Sequence, residues 1–276
     1  MTPMILGVEH DIRGRRSVRT FNGQPISQAD LDWFTVLLDS IEIPYQIPVR
    51  FRLLGAKEHG LSSPVIVGEP MYIAAAVPKV PHGEEAFGFA FEKMVLSAQS
   101  MGLGTTWIGG TMDRKLFERA FELGPDERMP CVSPLGYPAE KMSLRESLMR
   151  KGAKADSREP FEKLFFRESF ETPLSSEQAG RLALPLELVR LAPSAVNRQP
   201  WRLVVCGELV HFYVKHAKGY VSEATGDLQK VDLGIALCHF NEAAYALGLG
   251  PKLELQDPGI PAPADTEYIA SYRVRL

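Results

Sequence analysis

Several residue types are scarce in this chain, and each scarcity excludes something. Cysteine occurs three times in 276 residues, at Cys131, Cys206 and Cys238, far apart and without a CxxC pair. That odd, scattered set indicates neither a disulfide framework nor a thiolate zinc site. The six histidines, His10, His59, His82, His211, His216 and His239, include no H-x-x-x-H pair, so a helical metal site is not expected. His211 and His216 stand five apart in a strand-like run, which sends them to opposite faces. An excess of positive charge is also missing. Lys and Arg number 31 against 34 Asp and Glu, the net charge is -3 and the pI about 6.1. No field or basic arm draws the chain to a polyanion, so nucleic acid is not an expected partner. Nor is there a long apolar run near the start, where Asp11, Arg13, Arg15 and Arg16 fall within the first twenty residues. Those residues read as neither secretory signal nor membrane span, and a soluble cytoplasmic enzyme is the expectation.

What is present is a chain 45% hydrophobic and 24% charged, able to bury a large core as one large or two medium domains. Ser27, with Asp30 three residues on, opens a run in which Leu31, Phe34, Leu37, Leu38 and Ile41 recur at helical spacing, a capped amphipathic helix. Residues 49–55, 64–68 and 71–77 read as strands, 84–101 as a helix apolar on more than one face and so buried between layers, and 113–122 as a further helix. "GTTWIGG" (104–110) reads as an extended segment with a tight end, and "MPCVSPLGYP" (129–138) as a strand broken by glycine and proline. The polar, aperiodic "RKGAKADSREP" (150–160) is the best linker.

Beyond it the pattern restarts. "QPISQADL" (24–31) matches "TPLSSEQA" (172–179), Pro25 standing 148 residues before Pro173. "FGFAFEKMVLSAQSMGL" (87–103) matches "LGIALCHFNEAAYALGL" (233–249), with Gly88 and Gly102 each 146 residues before Gly234 and Gly248. Nearly equal offsets in two segments indicate a duplicated domain. Two such halves bury their equivalent faces most simply about a pseudo-two-fold axis, as a dimer's subunits would.

Three segments carry candidate chemistry. "GRRSVRTF" (14–21) gathers Arg15, Arg16, Ser17 and Arg19. Guanidinium forks bind phosphate oxygens bidentately, so the cluster reads as an anion cradle or, failing that, a solvated face. "LAPSAVNRQPWRLVV" (191–205) brackets Ser194, Asn197 and Gln199 between Pro193 and Pro200. Its amides could meet the mixed donors and acceptors of a flavin edge, and a proline-rich connector is the alternative. "GLGTTWIGG" (102–110) follows a helix and lacks the G-x-G-x-x-G spacing, so it is not a dinucleotide loop. Gly109 and Gly110 would let backbone approach a ligand, and Trp107 reads as core.

"RRSVRTF", "APSAVNRQPWRLV", "GLGTTWIGG" and "PLGYPAEK" together resemble the signature set of the flavin-dependent nitroreductase family, specifically its two-half, single-chain branch. Here the proline-serine-asparagine motif has moved to the second half, and "IEIPYQIPVRFRLL" (41–54) occupies its place in the first. In the second half Lys163, Leu164 and Phe165 replace Arg15, Arg16 and Ser17, and no second "LGYP" occurs, so one composite site is expected. The resemblance implies an α+β fold. Two half-domains, 1–149 and 173–276 joined by a 150–172 linker, would each carry a mostly antiparallel sheet flanked by helices and form an intramolecular pseudo-dimer. It implies a monomeric oxidoreductase with tightly bound FMN and no catalytic side chain. NAD(P)H would be the electron donor, and a nitroaromatic, quinone or similar small molecule the acceptor, in a ping-pong cycle. Other flavin chemistry, or a non-catalytic flavin-binding protein, are the alternatives. Carried over, Arg15, Arg16 and Ser17 hold the phosphate and ribityl end, and Arg19 lies near N1/O2 of the ring. Pro193, Ser194, Ala195, Asn197 and Gln199 reach the ring across the inter-half interface, backbone at Ile108, Gly109 and Gly110 faces N5/O4, and Lys141 and Arg145 add a second basic contact to the phosphate. The outer face of the ring is expected against 42–48 and 218–230.

Overall fold

The structure is a computed structural model that describes residues 3–152 and 154–276, with side chains from Gly7 onward. The first half runs α1 (Pro3–Gly14), α2 (Gln28–Ser40), β1 (Arg50–Gly55), α3 (Ala56–His59), β2 (Met71–Pro78), α4 (Gly83–Ser100), β3 (Gly104–Thr105), α5 (Arg114–Phe121), β4 (Glu127–Arg128), β5 (Val132–Gly136) and α6 (Leu144–Gly152). The second continues with α7 (Phe161–Leu164), β6 (Phe165–Arg167), α8 (Ala183–Arg190), β7 (Trp201–Cys206), β8 (Leu209–Lys215), β9 (Val221–Ser222), β10 (Gly226–Asp227), α9 (Leu228–Ala246), β11 (Lys252–Glu254) and β12 (Thr266–Arg273). This is the α+β architecture expected from the sequence.

Each half has its own five-stranded sheet. The first is ordered β1-β2-β5-β3, all antiparallel, with β4 pairing against the end of β2. The second is ordered β11-β12-β8-β7-β6, antiparallel except where β6 lies parallel to β7, Phe165 opposite Leu203. Strand β2 shows why the first sheet is covered on both faces. Alternate residues Ile73, Ala75 and Val77 join Phe87, Phe91 and Met94 of α4, while Tyr72, Ala74 and Ala76 join Phe117 and Phe121 of α5. A strand buried on both faces loses polar alternation, which explains the unbroken "MYIAAAV".

Two sequence expectations change. Residues 64–68 are not a strand: Ile66 N bonds back to Ser63 O at 3.1 Å and only Val67 forms a single bridge, to Thr20. Pro64 lacks a donor for a ladder and Gly68 sits at φ +79° against Phe21 O, so the segment turns instead. The 150–172 stretch is not free linker throughout. Residues 161–167 form α7 and the edge strand β6 of the second sheet, because Phe161, Leu164 and Phe165 are apolar and buried there. Ala153, inside the same stretch, lies outside the described residues.

The halves meet along α4 and α9. Both helices are buried on nearly all sides. They cross at the glycines that the duplication aligns. A Cβ on Gly88 would collide with Val231 O and lie 3.1 Å from Gly234 Cα, and one on Gly234 would collide with Glu85 O and Phe89 N. Only glycine allows so close an approach of two helix backbones.

Candidate functional site

A cavity of about 430 Å³ opens between the halves, within the size range of small-molecule and cofactor sites. One wall is the extended segment after α1. Val18 N donates to Thr105 O at 2.9 Å and Ser17 bridges Thr105, which lays residues 15–19 along the end of the first sheet. In an extended segment alternate side chains share a side. Arg15, Ser17 and Arg19 accordingly line the cavity while Arg16 is exposed and does not.

A second wall is the 107–111 turn. Arg114 braces it, donating to Gly109 O at 2.9 Å and to Met129 O and Pro130 O. Gly109 packs there, since a Cβ on it would lie 3.3 Å from Cys131 Sγ and 3.7 Å from Leu228. Ile108, Gly109 and Gly110 all line the cavity.

The third wall is the 193–199 loop of the second half. Val196, Asn197 and Gln199 all have positive φ, at 51°, 56° and 50°, conformations that cost non-glycine residues about 1–3 kcal/mol each and persist only where surroundings over-determine them. The surroundings are visible. Ala195 N donates to both carboxylate oxygens of Asp232, at 3.0 and 3.2 Å, and Gln199 N donates to Ser194 Oγ at 2.8 Å. Asn197 Nδ2 donates to Lys154 O at 2.7 Å and Ser157 O at 3.1 Å, and Gln199 Oε1 accepts from Glu159 N at 2.9 Å. Pro193, Ser194, Ala195 and Asn197 line the cavity; Gln199 is 4% exposed and does not. Gln199, expected to face a ligand, instead holds the loop to Glu159 N, because a buried amide must be satisfied where it lies, while Asn197 lines the cavity and also ties the loop to the 154–157 backbone.

Lys141 and Arg145 also fall outside the cavity: Lys141 is exposed, and Arg145 donates to Pro64 O. Their expected place is taken by Arg150 and Arg158, which line it. Glu146, 1% exposed, ties α6 to the first wall by accepting from Thr20 Oγ1 at 2.8 Å and Arg19 N at 3.2 Å, and so sets where Arg150 lies. Arg150 is paired with Asp156.

Charge distribution defines what the cavity can hold. Arg15 Nε and Arg158 Nε are buried and have no hydrogen-bond partner. Burial, opposed by Glu92 and reinforced by Arg150, lowers the Arg15 pKa; burial, Arg15 and Arg190 lower that of Arg158. Arg158 also donates to Ala155 O, Ser157 O and Leu191 O, so carbonyls and no bonded carboxylate meet its charge, and an anion placed beside Arg15 and Arg158 would balance the two cations. Arg19 is lowered by burial, opposed by Glu146. Asp232, 4% exposed and lining the cavity, is pushed well above the usual carboxylate range by burial despite its bond from Ala195 N. Cys131 is pushed up to about 12 by burial and then by Asp232, which makes it an inert thiol.

Behind this wall Glu92 and His239 join the halves, both fully buried. His239 Nε2 lies 2.9 Å from Glu92 Oε1 and His239 Nδ1 lies 2.8 Å from Leu188 O, while Trp107 Nε1 donates to Glu92 Oε2 at 3.1 Å. A carbonyl only accepts, so Nδ1 carries a proton, and a second must lie between Nε2 and the carboxyl oxygen. Trp107 is half-buried, packed 4.7 Å from Phe91 and lining the cavity, both core and wall.

The two half-length sheets, the glycine crossing and a cavity lined from both halves define a nitroreductase-like α+β oxidoreductase. The sequence profile of the family described as "Putative TM nitroreductase" matches residues 8–244, and the chain belongs to that family. A putative nitroreductase of Thermotoga maritima is similar over 98% of this chain and 94% of its own, at 22% identity and a TM-score of 0.62. An FMN-dependent nitroreductase of Clostridium difficile R20291 matches 52% of this chain and 95% of its own, at 17% identity and a TM-score of 0.41. A putative NADH dehydrogenase/NAD(P)H nitroreductase of Bacteroides thetaiotaomicron matches 49% and 89%, at 19% and 0.42. No curated protein gave a significant match. Among the described residues no helix is long and apolar enough to cross a membrane, and no group of three His, Cys, Asp or Glu side chains could hold a metal ion.

Proposed function

We propose that the chain is an FMN-dependent oxidoreductase that uses NAD(P)H to reduce a small acceptor such as a nitroaromatic or quinone. The observation that carries the reading is the pair Arg15 and Arg158 on the wall of a cavity lined by both halves, each with a buried Nε that has no hydrogen-bond partner. Arg15 and Arg158 would hold the phosphate, with the Ser17 hydroxyl beside them. Backbone at Ile108, Gly109 and Gly110 and the 193–197 loop would enclose the ring. FMN held there would supply the two-electron redox chemistry of a ping-pong cycle. The chain's own part is position and field. Arg19 favours negative charge arising on the ligand, Asp232 fixes the first N–H of the strained loop, and Leu228, Val231 and Ile235 of α9 keep one wall dry.

The composite site lies within one chain, so the two halves, 1–149 and 173–276 with 150–172 between them, act as an intramolecular pseudo-dimer and the protein is a monomer. Free Cys131, Cys206 and Cys238 suit a reducing cytoplasm. Pure protein tests the reading. It should be yellow, release FMN on denaturation and bleach with NADH or NADPH under nitrogen; a colourless protein that takes up no added FMN would refute it.

A further inference from the structure

Helix α6 is amphipathic in the opposite sense to an ordinary surface helix, whose apolar stripe faces the core. Its fully buried residue is a carboxylate, Glu146, held by bonds from Thr20 Oγ1 and Arg19 N, and Ser143 N donates to the same Thr20 Oγ1 at 3.1 Å. Leu144 and Leu148 are instead 86% and 69% exposed, and Met142, just before the helix, is exposed as well. Spaced four apart, the leucines share one face, and Lys151 continues it three residues on. Lys141 and Arg145, expected at the phosphate, are exposed here, as are Lys151 and Lys154. From 141 to 154 the sequence holds no acid but Glu146, in a chain whose net charge is -3. Beside this basic, apolar face opens a second cavity of about 320 Å³, lined by Met142, Ser147, Lys151, Lys154 and Ser157. Its one acidic lining residue, Asp156, is paired with Arg150.

We infer that α6 attaches the protein reversibly to an anionic lipid surface, with Leu144 and Leu148 entering the acyl boundary and the lysines meeting headgroup phosphates. A nine-residue helix is too short to span a bilayer, but exposed leucines flanked by cations suit a helix lying in its interface. The cations also favour lipid over a second copy of the chain, because a two-fold contact through α6 would bring the basic face against itself. Met149 and Arg150 of the same helix line the inter-half cavity, so attachment leaves that cavity within one helix diameter of the lipid, about 10–12 Å. Met142, the two leucines and the exposed cations lie outside the proposed flavin site, and attachment stands or falls independently of it.

Co-sedimentation of the purified full chain with lipid vesicles tests this. Vesicles of phosphatidylcholine and phosphatidylglycerol in equal parts should carry the protein down, those of phosphatidylcholine alone about tenfold less, and concentrated salt should release it. Leu144→Ser with Leu148→Ser, and separately Lys151→Glu with Lys154→Glu, should each weaken binding about tenfold or more. Their unfolding midpoints should stay near the parent's, since all of these side chains are exposed. Trp33→Ser with Val36→Ser is the control: α2 also exposes apolar residues, but beside Asp30, Asp32 and Asp39 and with no cation, so vesicle binding should not change. Absence of binding, equal binding to both kinds of vesicle, or parent-like binding by either α6 double variant would overturn the attachment. A dimer of the parent that the leucine variant loses would overturn it too, making a second copy the occupant of this face.

Discussion

Arg15 and Arg158 each bring a half-buried cation to one cavity from different parts of the chain, and only the first was visible in the sequence. "GRRSVRTF" announces Arg15 through density of charge and its place before a helix, whereas Arg158 and Arg150 lie in or beside the aperiodic polar stretch that reads as linker. Nothing local marks them, because their placement depends on Glu146 pinning α6 and on Asn197 capping the 154–157 backbone. Arg16 shows the converse. It shares the motif with Arg15, but alternation in an extended segment turns it to solvent. Each charge-assisted bond to phosphate contributes about 1.5–3 kcal/mol, so Arg15→Ala and Arg158→Ala should each weaken FMN about tenfold to a hundredfold, by fluorescence titration. Arg16→Ala should change it far less. Asp232 was equally illegible, a single acid in an apolar helix. Because its folded pKa is raised above the unfolded value by burial, its contribution to stability is present below the unfolded carboxylate pKa and is lost as pH rises through the folded one. Asp232→Asn keeps an acceptor for Ala195 N–H and should remove that loss, flattening the fall in urea midpoint from pH 4 upward.

Elements were more legible than residues. The Ser27–Asp30 cap appears as expected, with Asp30 N donating to Ser27 Oγ at 3.1 Å, and the unbroken apolar strand and helix at 71–77 and 84–101 became β2 and α4. What escaped was structure fixed by distant partners: β6 is a strand only because β7 lies beside it, and residues 64–68 have strand composition but turn around Pro64 and Gly68. The matching glycines of α4 and α9 were visible as a duplication, and the structure adds why they are glycines. A methyl at Gly88 or Gly234 meets backbone atoms, which cannot yield as a side chain can. Gly88→Ala and Gly234→Ala should therefore each cost about 2 kcal/mol or more, in the range of overpacked cores. Gly110→Ala, where a Cβ would meet nothing within 4 Å, should stay within about 1 kcal/mol. Denaturant midpoints decide this, and equal losses at Gly88 and Gly110 would remove the close-packed crossing.

At the scale of the molecule, residues from both halves of one chain line the cavity, and the proposed function places a single flavin there. The first half supplies Arg15, Ser17 and the 108–110 wall, the second the 193–197 loop and the α9 face. Residues 163–165, which duplication sets against Arg15, Arg16 and Ser17, are Lys, Leu and Phe, with Leu164 and Phe165 in the second core. A mate of the proposed phosphate site would therefore lack its arginines. Because the halves are linked, closing the site does not depend on concentration. The most direct test is sedimentation of the purified protein across a wide dilution series, recorded at the flavin absorbance band and in the ultraviolet. A single-chain site predicts a monomer carrying one FMN per chain at every dilution. Two FMN per chain, or flavin released as a dimer dissociates, would contradict it.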